Sequence, residues 1–340
     1  MKVAVLGATG AVGRRMLRIL EERDFPADEV AALASHRSQG ARLSFRGKDI
    51  EVTAVGDAAF QGVDLALFSA GANASREWTP RAVGAGVTVV DNSSAFRMEP
   101  NVPLVIPEIN GQDLQEHRGI VANPNCTAIT ALMAAAPLHR AAGLRRMVIS
   151  SYQSVSGAGQ RGVRELLEQV EKLRGQEEDL DAPGADSLPS GDAFGRTIAY
   201  NVIPRGGRFQ DDGVTTEERK LVDESRKILA LPDLGVAATV VRVPVVVGHS
   251  VSMYAEFDRQ IAPGEARDAL EAFPGVRVVD DPASDRFPTP HDAAGGDEVL
   301  VGRIRRAGDR LDALLLWAVA DNLRKGAALN AVQIAERLVA

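Results

Sequence analysis

Lys2-Val3-Ala4-Val5-Leu6-Gly7-Ala8-Thr9-Gly10-Ala11-Val12-Gly13 is the stretch that decides the fold. Residues 2–6 read as a buried strand, and a glycine turn follows at once. From about Ala11 to Arg23 the apolar residues Val12, Met16, Leu17, Ile19 and Leu20 fall on one helical face, which predicts an amphipathic helix. A strand, a glycine turn and a helix in succession is the setting in which a glycine pattern points to a dinucleotide. Glycines let the chain turn tightly and let a pyrophosphate approach the helix N-terminus, where backbone N–H groups are free. The candidate cofactor contacts are Gly7, Thr9, Gly10, Ala11, Val12 and Gly13. Their spacing is GxxGxxG rather than GxGxxG, so a turn without a ligand stays open at this point.

The next strand is expected at Val30–Ala34, and the residues after it bear on cofactor choice. An acidic residue there would bond the ribose hydroxyls, whereas this chain has Ser35-His36-Arg37-Ser38. A cation and two hydroxyls suit a 2′-phosphate, so Ser35, Arg37 and Ser38 point to NADP rather than NAD. A solvated loop arginine is the plain alternative. Further strands are expected at 51–54, 63–69 and 87–91. They would place Ser69-Ala70-Gly71-Ala72 and Asp91-Asn92-Ser93-Ser94-Ala95-Phe96-Arg97 at the carboxyl edge of a parallel sheet, where such sheets bind ligands.

The lone cysteine of the chain stands in Asn123-Pro124-Asn125-Cys126-Thr127, between an apolar run at 120–122 and a helix-forming run from Ala128 to Ala136. A thiol at a helix start faces unpaired N–H groups and the positive end of the helix dipole. That setting should lower the thiol pKa and offer donors to an oxyanion. A small buried hydrophobe is the other reading of a single cysteine. Pro137 is expected to end or kink the helix. A strand at 146–152 leads to Gln153 and a second glycine turn, Ser154-Val155-Ser156-Gly157-Ala158-Gly159, before a helix from about Arg161 to Arg174. Residues 176–195 are rich in acidic residues, Pro, Gly and Ser and read as an exposed loop. A helix from Thr215 to about Ala230 puts Glu217 and Lys220 on one face, where spacing alone suggests an exposed ion pair. Two strands at 236–243 and 250–257 flank Pro244-Val245-Val246-Val247-Gly248-His249. In one straight strand Arg242 and His249 would face opposite ways, and Pro244 and Gly248 supply the break that could unite them. An arginine inside an apolar strand needs a partner, and a substrate carboxylate would serve. Strands at 298–306 and 310–318 and a helix over 322–338 close the chain, the last folding back onto the first domain.

A length of 340 residues with 45% hydrophobic and 25% charged content suits two globular domains. The net charge of −7 suggests neither nucleic acid nor an anionic membrane as a partner. A strand at the start, no apolar run of membrane-spanning length and a single cysteine lead to the expectation of a soluble, cytoplasmic protein. Five scattered histidines without paired spacing predict no metal site.

Taken in order, GATGAVG at 7–13, DNSSAFR at 91–97, NPNCT at 123–127, QSVSGAG at 153–159, RVPVVVGHS at 242–250 and KGAALNAVQIAE at 325–336 resemble the aspartate-semialdehyde dehydrogenase family over nearly the whole chain. The resemblance implies an α/β protein. A Rossmann-type NADP-binding domain over 1–126, completed by a C-terminal helix at 321–340, would join an α+β catalytic and dimerisation domain with a mixed sheet over 127–320. It implies reversible, NADP-dependent conversion of L-aspartyl-4-phosphate to L-aspartate 4-semialdehyde and phosphate, in lysine, methionine and threonine synthesis, by a homodimer. Carried over by motif, Cys126 would be the nucleophile, His249 the general acid/base and Gln153 the residue that orients the substrate. Arg242 would hold the α-carboxylate, Arg97 and Lys220 the phosphate, and Glu217 the amino group, with Asn125 beside the substrate. Ser156, Gly157 and Asn322 would join the cofactor contacts. The chain departs from the family pattern at Pro204-Arg205-Gly206-Gly207-Arg208, where a histidine and an acidic residue are expected; no carried-over catalytic role falls there. Two other readings are N-acetyl-γ-glutamyl-phosphate reductase, which usually has glycine where Asn125 stands, and a catalytically silent paralogue acting as a binding protein.

Overall fold

The computed structural model describes residues 1–176, 180 and 188–340. Of the loop expected over 176–195, residues 177–179 and 181–187 lie outside the described residues. The opening pattern forms as expected, with β1 at Lys2–Leu6 and α1 at Ala11–Glu22. Further along come β2 at Glu29–Ala34, a β3–β4 hairpin at Arg42–Phe45 and Lys48–Glu51, β5 at Thr53–Ala54 and β6 at Leu65–Phe68. With β7 at Thr88–Asp91 and β8 at Ile120–Ala122, preceded by helices α2 at Ala72–Gly84 and α3 at Pro107–Asn110 respectively, they build a six-stranded sheet of order β5-β2-β1-β6-β7-β8. Every pairing in that sheet is parallel. Its winding reverses between β1 and β6, and this switch point is where open parallel sheets bind ligands. The turn after β1 presses against the end of β6: a Cβ on Gly7, whose φ is +86°, would stand 2.3 Å from the Ser69 carbonyl oxygen. Only glycine fits there.

The chain then enters a second sheet through α4, Cys126–Ala142. All of Thr127–Leu138 is buried, so this helix is apolar on every side and serves as a core element between neighbours. Pro137 does not end it. A proline lacks the N–H that would bond the carbonyl four residues back, but tight burial keeps the helix running to Ala142. Beyond it lie β9 at Leu144–Gln153, α5 at Gly159–Leu173, α6 at Thr216–Ile228, β10 at Gly235–Arg242 and β11 at His249–Phe257. With β12 at Val276–Val278, β13 at Val299–Arg306 and β14 at Ala313–Ala320 the sheet order is β10-β9-β11-β14-β13-β12, with parallel and antiparallel pairs.

Other differences from the sequence reading have simple causes. The strand expected at 51–54 is split, because Glu51 ends a hairpin strand and only Thr53–Ala54 join the sheet. The strand expected at 310–318 lies instead at 313–320. The helices at Ala72–Gly84 and Pro263–Glu271 lack a clear apolar stripe, and the first contains Pro80, so periodicity does not reveal them. The final helix begins as a π-turn over Arg324–Ala328 and continues as a regular helix, Leu329–Val339. Leu329, Val332 and Ile334 pack with Val3, Met16 and Ile19 of the first sheet layer.

The π-turn is pinned from below by a buried charge. Lys325 is fully buried, and its Nζ donates to both Glu108 carboxylate oxygens at 2.8 Å, to Asn330 at 3.0 Å and to Gln333 at 2.7 Å. Removing one partner of such a pair strands the other charge. Glu108→Ala is expected to lower the unfolding free energy in urea by about 3 kcal/mol; a change near zero would show that Asn330 and Gln333 suffice for Lys325.

Candidate active site

The site forms where both sheets meet. Gly10 starts α1 with no side-chain cap, leaving first-turn N–H groups available, and Gly10, Ala11 and Val12 line a cleft of about 290 Å³. A Cβ at Gly13 would stand 2.2 Å from the Gly7 carbonyl oxygen, so the helix start and turn are locked together. Cys126, Ser156, Gly157 and Asn322 line the same cleft. Thr9 Oγ1 lies 3.3 Å from Ser38 Oγ, joining the glycine turn to the short segment after β2. Ser35 and Arg37 stand exposed there. These residues fit a nicotinamide dinucleotide: a side-chain-free cradle, an uncapped helix start and no carboxylate at the end of β2.

Asn125 sets the position of the thiol. Its Oδ1 accepts from the N–H groups of Thr127 at 2.9 Å and Ala128 at 3.3 Å, capping α4 so that Cys126 is the first helical residue. The half-buried thiol has the π-turn on its other side, where a Cβ on Gly326 would lie 3.1 Å from Cys126 Cβ. Burial pushes the Cys126 thiol up, and Glu217 adds to the effect, while Arg242, Arg97 and the Thr127 bond pull part of the way back. The thiol therefore stands raised where the helix start alone led to the expectation of a lowered one, with desolvation the main cause and Glu217 the second.

Glu217 and Lys220 form an ion pair on α6, but not an exposed one. Glu217 is largely buried and accepts from Asn125 Nδ2 at 2.9 Å. Burial raises its carboxyl, yet Lys220, Arg242 and Asn125 together bring it below the usual carboxylate range. The departure at 204–208 backs this residue: a Cβ on Gly206 would meet Glu217 Cβ at 2.8 Å. Gln153 is buried and donates to Thr127 Oγ1 at 2.7 Å, which brings it beside the start of α4.

The break between β10 and β11 does unite Arg242 and His249. Gly248 has a φ of +100°, and both side chains converge on Gly157, where a Cβ would stand 2.7 Å from Arg242 Nη1 and 3.1 Å from His249 Nε2. Ser154 N–H donates to His249 Nδ1 at 3.1 Å, which assigns the proton of the neutral ring to Nε2. That Nε2 is buried without a partner among the described residues. Burial and then Arg242 hold the imidazolium well below its ordinary pKa. Asn322 ties the region together: its Oδ1 accepts from Ser154 Oγ at 3.0 Å and from Gly248 N–H at 2.9 Å, and its Nδ2 donates to Ser156 at 3.0 Å.

Two connections escape a reading by residue type. Arg97 is buried, with Nη1 on Glu224 at 2.9 Å, Nε on the Asn123 carbonyl at 2.9 Å and Nη2 on the Asn92 carbonyl at 3.1 Å. Glu224 carries no motif; its only signal is a place on the same α6 face as Glu217 and Lys220. Ser154 acts on His249 through its backbone, which no side-chain pattern displays.

Residues 2–117 match the family described as "Semialdehyde dehydrogenase, NAD binding domain", and residues 135–325 match "Semialdehyde dehydrogenase, dimerisation domain". The chain belongs to the aspartate-semialdehyde dehydrogenase family. It is 47% identical to the aspartate-semialdehyde dehydrogenase of Bacillus subtilis over 99% of this chain and 97% of that one. The Corynebacterium glutamicum enzyme is 49% identical, over 99% of both chains. Aspartate semialdehyde dehydrogenase II of Vibrio cholerae, also solved "complexed with ASA", superposes with a TM-score of 0.93 at 44% identity, covering 99% of this chain and 98% of that one. Membership makes the chain an oxidoreductase with a nicotinamide-dinucleotide domain, working in amino-acid biosynthesis.

The raised thiol has a direct consequence for this family member. Alkylation of Cys126 by iodoacetamide in the enzyme alone is expected to keep rising with pH past about 8.5, the ordinary thiol value. A rate that levels off near neutral pH would show a thiolate already formed.

Proposed function

We propose that the chain catalyses reversible, NADP-dependent conversion of L-aspartyl-4-phosphate to L-aspartate 4-semialdehyde and phosphate through a thioacyl-enzyme on Cys126, supplying lysine, methionine and threonine synthesis. The observation that carries this reading is the meeting of one thiol, two arginines and an unpartnered imidazole nitrogen beside the glycine-turn cleft. In the biosynthetic direction Cys126 sulfur attacks the acyl carbon and phosphate leaves with the bonding electrons, dividing a hard step into easier ones. When bound, the nicotinamide dinucleotide supplies the hydride that reduces the thioester.

The remaining work falls to side chains. Arg97 and Lys220 receive the phosphate, Arg242 holds the α-carboxylate, Glu217 receives the amino group and Gln153 orients the acyl group. Arg242 suits its role because most of its guanidinium is uncommitted among the described residues; its one side-chain hydrogen bond there is a long 3.4 Å contact to the Ser154 carbonyl. A charge-assisted pair of this kind contributes roughly 1.5–3 kcal/mol. His249 gives up or takes a proton at Nε2. Either direction requires Nδ1 to carry the other proton, which gives up the bond from the Ser154 N–H and donates instead to Ser154 Oγ, 3.1 Å away. Asn125 already takes the Thr127 and Ala128 N–H groups, so of the first turn of α4 it is the Cys126 N–H that is left to stabilise the oxyanion.

NADP preference is proposed from Ser35, Arg37 and Ser38 beside the glycine turn. A homodimer built on the second sheet is supported by the dimerisation-domain match and by a sheet face on which Val148 is exposed and Tyr152 packs against Trp317, the rings tilted by 43° with centroids 5.2 Å apart. A cytoplasmic location is proposed from the single cysteine; no described helix is long and apolar enough to cross a membrane.

With aspartate semialdehyde, phosphate and NADP, reduced nucleotide should form. Cys126→Ala should abolish turnover while nucleotide binding survives, and His249→Asn should lower kcat by about 10²–10⁴-fold. Activity retained by Cys126→Ala removes the thioester route, and turnover of the N-acetyl-γ-glutamyl substrate alone transfers the chain to the related reductase. Arg37→Ala should raise the KM for NADP by about tenfold, the loss of one charged contact, and leave that for NAD unchanged. Equal changes for both nucleotides would refute the 2′-phosphate role.

A further inference from the structure

Glu224 is a carboxylate that the roles above leave unused. It is 1% exposed and lies on the α6 face that carries Glu217 and Lys220. Its oxygens are divided between two segments that the first sheet presents separately. Oε1 accepts from Arg97 Nη1 at 2.9 Å, at the end of the polar turn after β7. Oε2 accepts from the backbone N–H of Asn125 at 2.6 Å, immediately before the cysteine. Carbonyls of Asn92 and Asn123 hold the other edges of the guanidinium. We propose that Glu224 is a positioning residue, which fixes Arg97 relative to the Cys126 thiol so that phosphate and acyl carbon are presented in one geometry. The proposal rests on the reading of Arg97 as a phosphate-binding residue.

The chemistry of the position calls for a carboxylate. Both partners are donors, so the bridging group must accept at each end. A glutamine would turn an NH₂ toward one of the donors. An aspartate is one methylene shorter and can serve one partner better than both. Burial pushes the Glu224 carboxyl up, and Arg97 and the Asn125 N–H draw it part of the way back. Two donors at these distances still fit the ionised form best.

The turn bearing Arg97 also has an anchor of its own. Lys227, further along α6, donates to the carbonyls of Arg97 and Glu99 at 2.8 Å and of Val102 at 2.9 Å. Loss of the Glu224 bridge therefore leaves the turn attached and frees the Nη1 edge of the guanidinium, with the Asn123 and Asn92 carbonyls still on its other edges. Charge and position make opposite demands. If Glu224 merely screened Arg97, its removal would strengthen phosphate binding; if it positions Arg97, removal weakens it.

The test is Glu224→Gln, assayed with aspartate semialdehyde, NADP and varied inorganic phosphate, beside Arg97→Ala and the double variant. Positioning predicts a KM for phosphate raised about tenfold, the loss of one charged hydrogen bond. The KM values for aldehyde and nucleotide should stay within about twofold, and Glu224→Asp should recover part of the loss. Glu224→Gln should add less than about twofold to Arg97→Ala, because the residues act as a unit. A lower or unchanged phosphate KM in Glu224→Gln, with Arg97→Ala raising it, overturns the proposal and leaves the phosphate role of Arg97 standing. No effect of Arg97→Ala overturns both. Equal shifts in all three Michaelis constants show a structural role only, which also overturns it. If Glu224→Gln fails to fold, Glu224→Asp carries the same comparison.

Discussion

Everything in the site is referred to one residue, Asn125. Its Oδ1 caps α4, its Nδ2 reaches Glu217 and its backbone N–H reaches Glu224. A helix cap contributes about 1 kcal/mol and a hydrogen bond to a charged group roughly 1.5–3 kcal/mol. Together they fasten the start of α4 to α6 and leave the first helical residue a single location. That residue is the cysteine.

The same junction explains the electrostatics. Cations that could receive anionic substrate groups are kept as pairs: Lys220 with Glu217, and Arg97 with Glu224. Arg242 feels Glu217 as well, although burial lowers its pKa. Buried charges are tolerated because each has a partner. Burial opposes ionisation of Cys126, and Glu217, the partner of Lys220, opposes it as well. His249 is kept neutral in the same way, by burial and by Arg242.

The sheet layers were legible because the patterns that build them are local. A strand, a glycine turn and an amphipathic helix announce themselves within a dozen residues, and the uncapped Gly10 and the crowded Gly7 follow from that pattern. The convergence of Arg242 and His249 was legible too, since Pro244 and Gly248 interrupt the alternation that would separate them. Glu224 was not, because an acidic residue on a charged helix has no local signature of burial; only the docking of α6 against the turn at 91–97 creates its role. The sign of the thiol shift was missed for a related reason. A helix start is visible in sequence, but the burial of the thiol, and Glu217 beside it, arise only in three dimensions. Helices with interrupted stripes, such as the one carrying Pro80, and the π-turn that opens the last helix likewise depend on packing.

The proposed chemistry turns on a covalent acyl group on Cys126. The most direct measurement mixes the enzyme rapidly with aspartate semialdehyde and NADP without phosphate, following reduced nucleotide and then the mass of the cysteine peptide. A burst approaching one nucleotide per functional site is expected, with an aspartyl adduct on Cys126 that is discharged when phosphate is added. Reduced nucleotide appearing only after phosphate is present, with Cys126 unmodified throughout, would contradict it.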